Sequence, residues 1–214
     1  MIGILGGTFD PVHYGHLRCA LELKQTLGFE QIRFMPAHQP PHRDVPAASA
    51  AQRLAMLELA VAGAPGFAVE TIELRRNGPS YTVDTLLALR AELSSASLSL
   101  ILGMDAFLGI ESWSRWERLI ELAHLVIMQR PGQSLSAAGP RLRALMQERL
   151  GDAAALRGAA AGCIVLCPVT QLDISATRIR RGMASGEDMR YLLPDQVIDY
   201  IRREQLYVCA ISTQ

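Results

Sequence analysis

Residues 2–17 read Ile-Gly-Ile-Leu-Gly-Gly-Thr-Phe-Asp-Pro-Val-His-Tyr-Gly-His-Leu, and this stretch decides the fold. The apolar run at 2–5 is stopped by Gly6 and Gly7, which is typical of a buried strand that meets a tight turn. Helical periodicity then runs from about residue 15 to residue 27. The chain therefore opens with a strand, a glycine turn and a helix.

The same alternation continues along the rest of the chain. Apolar runs predict further strands at 31–35, 67–70, 98–102, 125–128 and 164–166. Periodicity predicts helices at 49–62, 80–93, 112–121 and 139–150, with others that start near 175 and 195. Short apolar strands without polar alternation favour a parallel sheet that is covered on both faces. We expect a doubly wound, mostly parallel α/β sheet in one domain, 1–214, whose residues from about 175 to 214 form a helical part.

Two segments are predicted to lie outside this alternation. Residues 36–48 are rich in proline and histidine and are interpreted as a surface loop. The alanine-rich stretch 153–161 is interpreted as a mobile connector.

Composition excludes several classes of protein. Half of the 214 residues are hydrophobic and the formal net charge is zero, without the basic surplus of nucleic-acid-binding proteins. No apolar run approaches the length of a membrane span, and the N-terminus lacks the basic start of a signal peptide. The four cysteines form no C-x-x-C pair, which favours buried thiols in a reducing compartment. We expect a cytoplasmic protein that binds neither nucleic acid nor a membrane. A homo-oligomeric state is compatible with the sequence.

The turn after the first strand carries the residues of a phosphate site. Gly6 and Gly7 let the backbone approach a ligand closely, and the start of the next helix is an anion site. His13 and His16 flank that start, and both rings can reach one phosphate placed there. Ligands of doubly wound sheets bind at this edge. Two alternatives remain: a zinc site, which would need a third ligand, and a structural histidine pair.

A second candidate phosphate site lies at 173–181, which read Asp-Ile-Ser-Ala-Thr-Arg-Ile-Arg-Arg. Ser175 is a good helix N-cap, Thr177 adds a hydroxyl in the first turn, and Arg180 can make charge-assisted contacts. The alternative is an ordinary capped helix with a solvated basic face.

These motifs resemble those of a known enzyme superfamily. Residues 6–16 resemble the signature of nucleotidyltransferases with an H-x-G-H motif, and 174–180 resemble their I-S-x-T-x-I-R motif. Bacterial nicotinate mononucleotide adenylyltransferases are similar in four more segments, so the resemblance covers nearly the whole chain. These segments are 36–43 (with Arg43 in place of Lys), 73–85, 103–113 and 191–201.

The resemblance implies a Rossmann-like nucleotidyltransferase fold and an activity in NAD biosynthesis. The partners would be ATP and nicotinate mononucleotide, converted to nicotinate adenine dinucleotide and pyrophosphate. Mg²⁺ would arrive on the ATP phosphates rather than in a protein cage, so no metal ligands are expected. Alternatives are another acceptor, such as phosphopantetheine or nicotinamide mononucleotide, and a module that senses ATP without chemistry.

The resemblance also assigns site residues. Those implied in catalysis are His13, His16 and Arg180. Those implied in ATP binding are Gly6, Gly7, Thr8, Phe9, His13, His16, Arg43, Gly103, Asp105, Arg130, Ser175, Thr177 and Arg180. Those implied in binding nicotinate mononucleotide are Thr8, Ser80, Tyr81, Thr82, Asp84, Met104 and Trp113.

Elementary chemistry leaves several of these assignments open. Ser80 or Thr82 can cap a helix whose outward amides would prefer a carboxylate to an amide group. Trp113 offers a flat face for a pyridine ring, although core packing explains it equally well. Asp105 can accept from a ribose hydroxyl or cap the next helix. Trp116 is assigned to packing.

Overall fold

A computed structural model describes residues 1–38, 45–76, 78, 80–129, 135–170 and 172–208 of the chain. Six strands form one sheet in the order β3-β2-β1-β4-β5-β6, and every neighbouring pair is parallel. The strands are β1 (Ile2–Gly7), β2 (Gln31–Pro36), β3 (Phe67–Val69), β4 (Leu98–Gly103), β5 (His124–Gln129) and β6 (Ile164–Pro168).

The strand order places a topological switch at β1. The chain runs outward from β1 through β2 to β3, and then returns to the other side of β1 with β4. Gly7 lies beside Pro36 at the end of β1, and Gly103 lies beside Met128 at the end of β4. The doubly wound parallel sheet is confirmed, and the crevice between the ends of β1 and β4 is where such sheets bind ligands.

Burial on both faces explains why the strands are apolar throughout. In β4, Ile101 packs into the core cluster on one face of the sheet, whereas Leu100 and Leu102 pack into the cluster on the other. Leu5 and Ile4 of β1 divide in the same way. Successive side chains of a strand point to opposite faces, so both sets must be apolar when helices cover both sides.

Helices separate most of the strands. They are α1 (Tyr14–Leu27), α2 (Ala50–Val61), α3 (Thr82–Glu92), α4 (Met104–Leu108), α5 (Leu119–Leu122), α6 (Pro140–Arg149), α7 (Ala153–Gly158), α8 (Ala176–Ala184) and α9 (Asp195–Arg203). Six of these confirm predicted helices within a few residues, namely α1, α2, α3, α6, α8 and α9. None of the described helices is long and apolar enough to cross a membrane.

Three predictions of local structure were wrong. Residues 112–121 do not form one helix, because Arg115 adopts a left-handed conformation with φ of 51° between two short 3-10 helices. The alanine-rich stretch contains α7, whose first amides are capped by the carboxylate of Asp152. Neither Ser80 nor Thr82 caps α3, since Tyr81 occupies the N-cap position without a side-chain hydrogen bond.

Candidate active site

A cleft of about 1040 Å³ opens at the switch point of the sheet. Its wall combines the turn after β1, the end of β4 and the start of α8, which are far apart in the chain. Ten residues that the sequence assigned to the ATP site line this cleft: Gly6, Gly7, Thr8, Phe9, His13, His16, Gly103, Ser175, Thr177 and Arg180. The structure therefore brings both predicted phosphate motifs to one place.

The Phe9 ring shapes the turn after β1. Phe9 has a positive φ of 51°, and its ring lies so close to Gly7 that a Cβ there would be 2.9 Å from the ring. The same ring contacts His16 edge to face, with centroids 5.1 Å apart. Gly7 is thus required by the close approach of an aromatic side chain, which in turn supports one of the two histidines.

The two histidines form a compact pair at the start of α1. His13 is the N-cap residue, and its backbone N–H donates to Nδ1 of His16 at 3.3 Å. The two rings stack with centroids 3.8 Å apart. A Cβ on Gly15 would lie 2.9 Å from Nδ1 of His13, so only glycine fits between the two histidines without a shift. Packing of the rings therefore explains the spacing of the H-x-G-H motif.

Burial keeps His13 uncharged near neutral pH. The residue is 6% exposed, and burial lowers its pKa from 6.5 to about 4. Its buried Nδ1 has no hydrogen-bond partner among the described residues. A neutral imidazole can donate one hydrogen bond to an anion, and a phosphate close by would favour its protonated form.

The start of α8 supplies the second wall of the cleft. Ser175 caps the helix, as predicted, because its Oγ accepts from the amide of Arg178 at 3.2 Å. Nη1 of Arg180 donates to the carbonyl oxygen of Asp10 at 2.7 Å, and it lies 3.8 Å from that residue's carboxylate. Arg180 therefore ties α8 to the turn after β1 while it lines the cleft.

The zinc alternative finds no support in the described part of the chain. No group of three or more His, Cys, Asp or Glu side chains there could hold a metal ion. Within the described ranges, His13 and His16 thus have no third ligand of the kind that a zinc site would need.

The residues assigned to the acceptor lie apart from this cleft, except Thr8. Tyr81 and Thr82 start α3, and the Trp113 side chain is partly buried against one core cluster. Asp84 forms ion pairs with Arg76 at 3.7 Å and with Arg115. The structure does not gather these residues into one described pocket.

Four more residues that the resemblance assigned to the substrate sites remain to be located, namely Met104, Asp105, Arg43 and Arg130. The Met104 side chain is 2% exposed and belongs to the core, so only its backbone can face a ligand. Asp105 is exposed in the first turn of α4, whose N-cap is Gly103, so the alternative that Asp105 caps this helix was wrong. Arg43 and Arg130 lie outside the described residues.

Comparisons with known proteins agree with this geometry. The sequence model of the family described as cytidylyltransferase-like matches residues 4–182, which include both phosphate motifs. The chain belongs to this family. It is 50% identical to a probable nicotinate-nucleotide adenylyltransferase of Methylococcus capsulatus, over 97% of this chain and 99% of the relative. A protein of the same description from Acidithiobacillus ferrooxidans is 50% identical, over 95% and 94% of the two chains.

Solved structures share the fold of this cytidylyltransferase-like protein. Nicotinic acid mononucleotide adenylyltransferase of Plasmodium falciparum, complexed with NaAD, aligns with a TM-score of 0.72 at 17% identity. The alignment covers 96% of both chains. A putative nicotinate-nucleotide adenylyltransferase of Vibrio parahaemolyticus aligns with a TM-score of 0.65 at 15% identity, over 96% and 94% of the chains.

Sequence reasoning gave no role to Asp10, a buried carboxylate in the wall of the cleft. Asp10 accepts hydrogen bonds from the amides of Ala47 at 2.7 Å and Ala48 at 3.1 Å. It also accepts from the hydroxyl of Tyr207 at 2.7 Å, and burial raises the pKa of that phenol. Asp10 thus joins the turn after β1 to the segment before α2 and to the end of the chain. Partners so distant in sequence leave no local signal.

A buried arginine was missed as well. Arg53, on α2, is 1% exposed and donates to the carbonyl oxygens of Thr8 at 2.8 Å, His38 at 3.3 Å and Ala48 at 3.3 Å. Burial lowers the pKa of the guanidinium, and the negative charge of Asp10 opposes that shift. An arginine among the apolar residues of a predicted helix was the available signal, since a buried charge needs partners.

Proposed function

We propose that this protein transfers the adenylyl group of ATP to nicotinate mononucleotide, giving nicotinate adenine dinucleotide and pyrophosphate. The observation that carries the proposal is the single cleft in which the histidine pair faces the start of α8. The acceptor is supported by relatives of that description that match nearly the full length of the chain at half identity.

The cleft suits the triphosphate of ATP. His13 and His16, with Thr8, would contact the α-phosphate, where charge develops during transfer. Ser175, Thr177 and Arg180 would hold the leaving phosphates at the start of α8, where helix amides and a guanidinium favour anions. The remaining ATP contacts that we propose are Gly6, Gly7, Phe9, Gly103, Asp105, Arg43 and Arg130.

The proposed chemistry needs positioning rather than a base. The acceptor is a phosphate monoester whose second pKa is about 6, so it is already ionised at neutral pH. The protein must bring two anions together and offset their repulsion. A divalent metal, which we propose is Mg²⁺, supplies charge neutralisation as part of the bound ATP.

The acceptor would lie at the start of α3. The absence of a side-chain cap on this helix leaves its first amides available to a carboxylate, which is the group that distinguishes nicotinate from nicotinamide. Tyr81 and Thr82 would contribute these amides, with Trp113 beside the pyridine ring. Ser80, Asp84 and Met104 would complete the surroundings, the last through its backbone. This arrangement predicts a strong preference for nicotinate mononucleotide.

A panel of acceptors with ATP and Mg²⁺, monitored by release of pyrophosphate, tests the proposal. We expect kcat/KM for nicotinate mononucleotide to exceed that for nicotinamide mononucleotide by more than tenfold, with no release from phosphopantetheine. Equal values for the two mononucleotides would refute the role of the α3 amides. Binding of ATP without release of pyrophosphate with any acceptor would favour the nucleotide-sensing alternative.

A further inference from the structure

The backbone of His38 is held from both sides at the end of β2. Its N–H donates to Oγ of Ser80 at 3.1 Å, and its carbonyl oxygen accepts from Nη2 of Arg53 at 3.3 Å. One of these partners precedes α3 and the other lies within α2. The peptide groups of a single residue therefore connect two separate helices.

A buried carboxylate extends the connection on the α3 side. Glu73 is 5% exposed, and its Oε1 accepts from the hydroxyl of Thr85 at 2.9 Å. Burial raises the pKa of Glu73, while hydrogen bonds from Thr85 and Ser80 oppose that shift. The Ser80 hydroxyl accepts from the amide of His38 and, because it lowers the pKa of Glu73, lies near that carboxylate.

Arg53 extends the connection to the other side of the site. Besides His38, it donates to the carbonyl oxygen of Thr8 at 2.8 Å, within the turn that carries the ATP motif. Hydrogen bonds therefore run from Thr8 through Arg53 and His38 to Ser80. Glu73 lies near Ser80 and is hydrogen-bonded to Thr85 of α3. We call Thr8, Arg53, His38, Ser80 and Glu73 the connecting chain. It joins the proposed ATP site to the start of α3, the proposed acceptor site.

We propose that the side chains of Arg53, Ser80 and Glu73 are positioning residues that hold the two substrate sites at a fixed separation. This inference rests on the proposed function. It changes the role of Ser80, since its hydroxyl serves the protein rather than the nicotinate group. The side chains of Arg53 and Glu73 are buried and hydrogen-bonded within the protein, so they act through Thr8 and the start of α3.

Geometry explains why such a chain would affect rate more than affinity. Transfer requires the attacking and accepting atoms to be about 3–3.5 Å apart, and a displacement of about 1 Å can lower the rate on the order of a hundredfold. Each substrate binds to its own side of the site, so a change in their separation leaves the individual contacts in place. Loss of the chain should therefore lower kcat and leave the affinity for each substrate alone unchanged.

The first test compares two serines whose hydroxyls each bond to the backbone of a residue distant in sequence. We expect Ser80→Ala to lower kcat about tenfold at saturating substrates. The Kd of ATP alone and of nicotinate mononucleotide alone, measured by calorimetry, should stay within twofold of the wild-type values. Ser97→Ala is the matched control, because the Ser97 hydroxyl donates to the carbonyl oxygen of Leu156 at 2.6 Å, away from the cleft. It should leave kcat unchanged.

The second test compares two arginines that each bind three carbonyl groups. Arg90 donates to Leu122 and Ala96 at 2.6 Å each and to Ala160, far from the cleft. Arg53→Lys and Arg90→Lys should both lower the melting temperature, because lysine cannot span three acceptors. Only Arg53→Lys should also lower kcat, by about tenfold. Glu73→Gln, which keeps the volume of the side chain, should have the same effect on kcat with a smaller loss of stability.

Three results would overturn the inference. A weaker Kd for nicotinate mononucleotide with normal kcat in Ser80→Ala would make the Ser80 hydroxyl a ligand contact. An equal loss of kcat in Arg90→Lys and Arg53→Lys would mean that the connecting chain affects kcat only through the general stability of the protein. Normal kcat in Arg53→Lys, Ser80→Ala and Glu73→Gln would exclude a positioning role for these three side chains. Failure of the proposed function would instead appear as absent pyrophosphate release in the wild-type protein.

Discussion

The nucleotide side and the acceptor side of the proposed site differ in how their residues are held. On the nucleotide side, Gly7, Phe9, His13, Gly15 and His16 contact one another within one short turn. On the acceptor side, Ser80 binds the backbone of His38, and Asp84 pairs with Arg115, 31 residues away. The contacts within the histidine motif are thus local, whereas those at the start of α3 join residues that are distant in the sequence. Changes on the nucleotide side should therefore affect kcat most directly.

The largest effect is expected at His16. We expect His16→Ala to lower kcat on the order of a hundredfold, since removal of one donor to a developing negative charge typically has this effect. The Kd of ATP should change little. Steady-state kinetics and calorimetry would measure both quantities. Near-normal turnover would exclude His16 from the mechanism and weaken the contrast between the two sides.

The next effect concerns the dependence of stability on pH. Because the pKa of His13 is about 4 when folded and about 6.5 when unfolded, the unfolded chain gains the extra proton as the pH falls through this window. The wild-type protein should lose about 2 kcal/mol of unfolding free energy from His13 between pH 8 and pH 5.

Urea denaturation of the wild-type protein and His13→Asn at several pH values measures this loss. His13→Asn should not show this loss of stability. Burial also lowers the pKa of His124, and the pH dependence that this causes is common to both proteins. Parallel pH profiles for the two proteins would contradict the buried, neutral state of His13.

A smaller effect is expected from Gly15. The Cβ of Gly15→Ala would meet the His13 ring at 2.9 Å, so the ring must shift by a few tenths of an ångström. We expect kcat to fall about tenfold. Gly158→Ala is the control, because no described residue outside its own helix and chain neighbours comes within 4 Å of the Cβ position there. Equal kcat in both variants would mean that the spacing of the histidines tolerates this shift.

The smallest effect is expected on the acceptor side. Trp113→Leu should raise the KM of nicotinate mononucleotide about fivefold, the size of one aromatic stacking contact, without changing the KM of ATP. Trp116→Leu is the control, since Trp116 is buried beneath the guanidinium of Arg141 and should affect stability alone. An unchanged KM of nicotinate mononucleotide in Trp113→Leu would mean that Trp113 serves core packing and not the acceptor.

Patterns within short windows were sufficient to predict most of the fold. The six strands and the long helices follow from apolar runs and periodicity, because burial on both faces leaves that signal in consecutive residues. The segment 112–121 was misjudged because a left-handed residue, Arg115, interrupts its periodicity. The cytoplasmic location and a homo-oligomeric state stay predictions.

The candidate site was predictable only where it is local. His13, His16 and Ser175 are recognisable because each lies at a helix start next to its functional neighbours. Arg53 and Tyr207 were missed because their partners, Thr8 and Asp10, lie 45 and 197 residues away. No pattern in a single sequence records such a pairing.

The sequence by itself determined a doubly wound parallel sheet and pointed to two candidate phosphate motifs, since each depends on the spacing of neighbouring residues. The tertiary structure decided that both motifs line one cleft, and that Arg53 connects this cleft through His38 and Ser80 to the start of α3. The physical reason is burial: a charged group inside a protein must find its partners wherever the packed chain provides them.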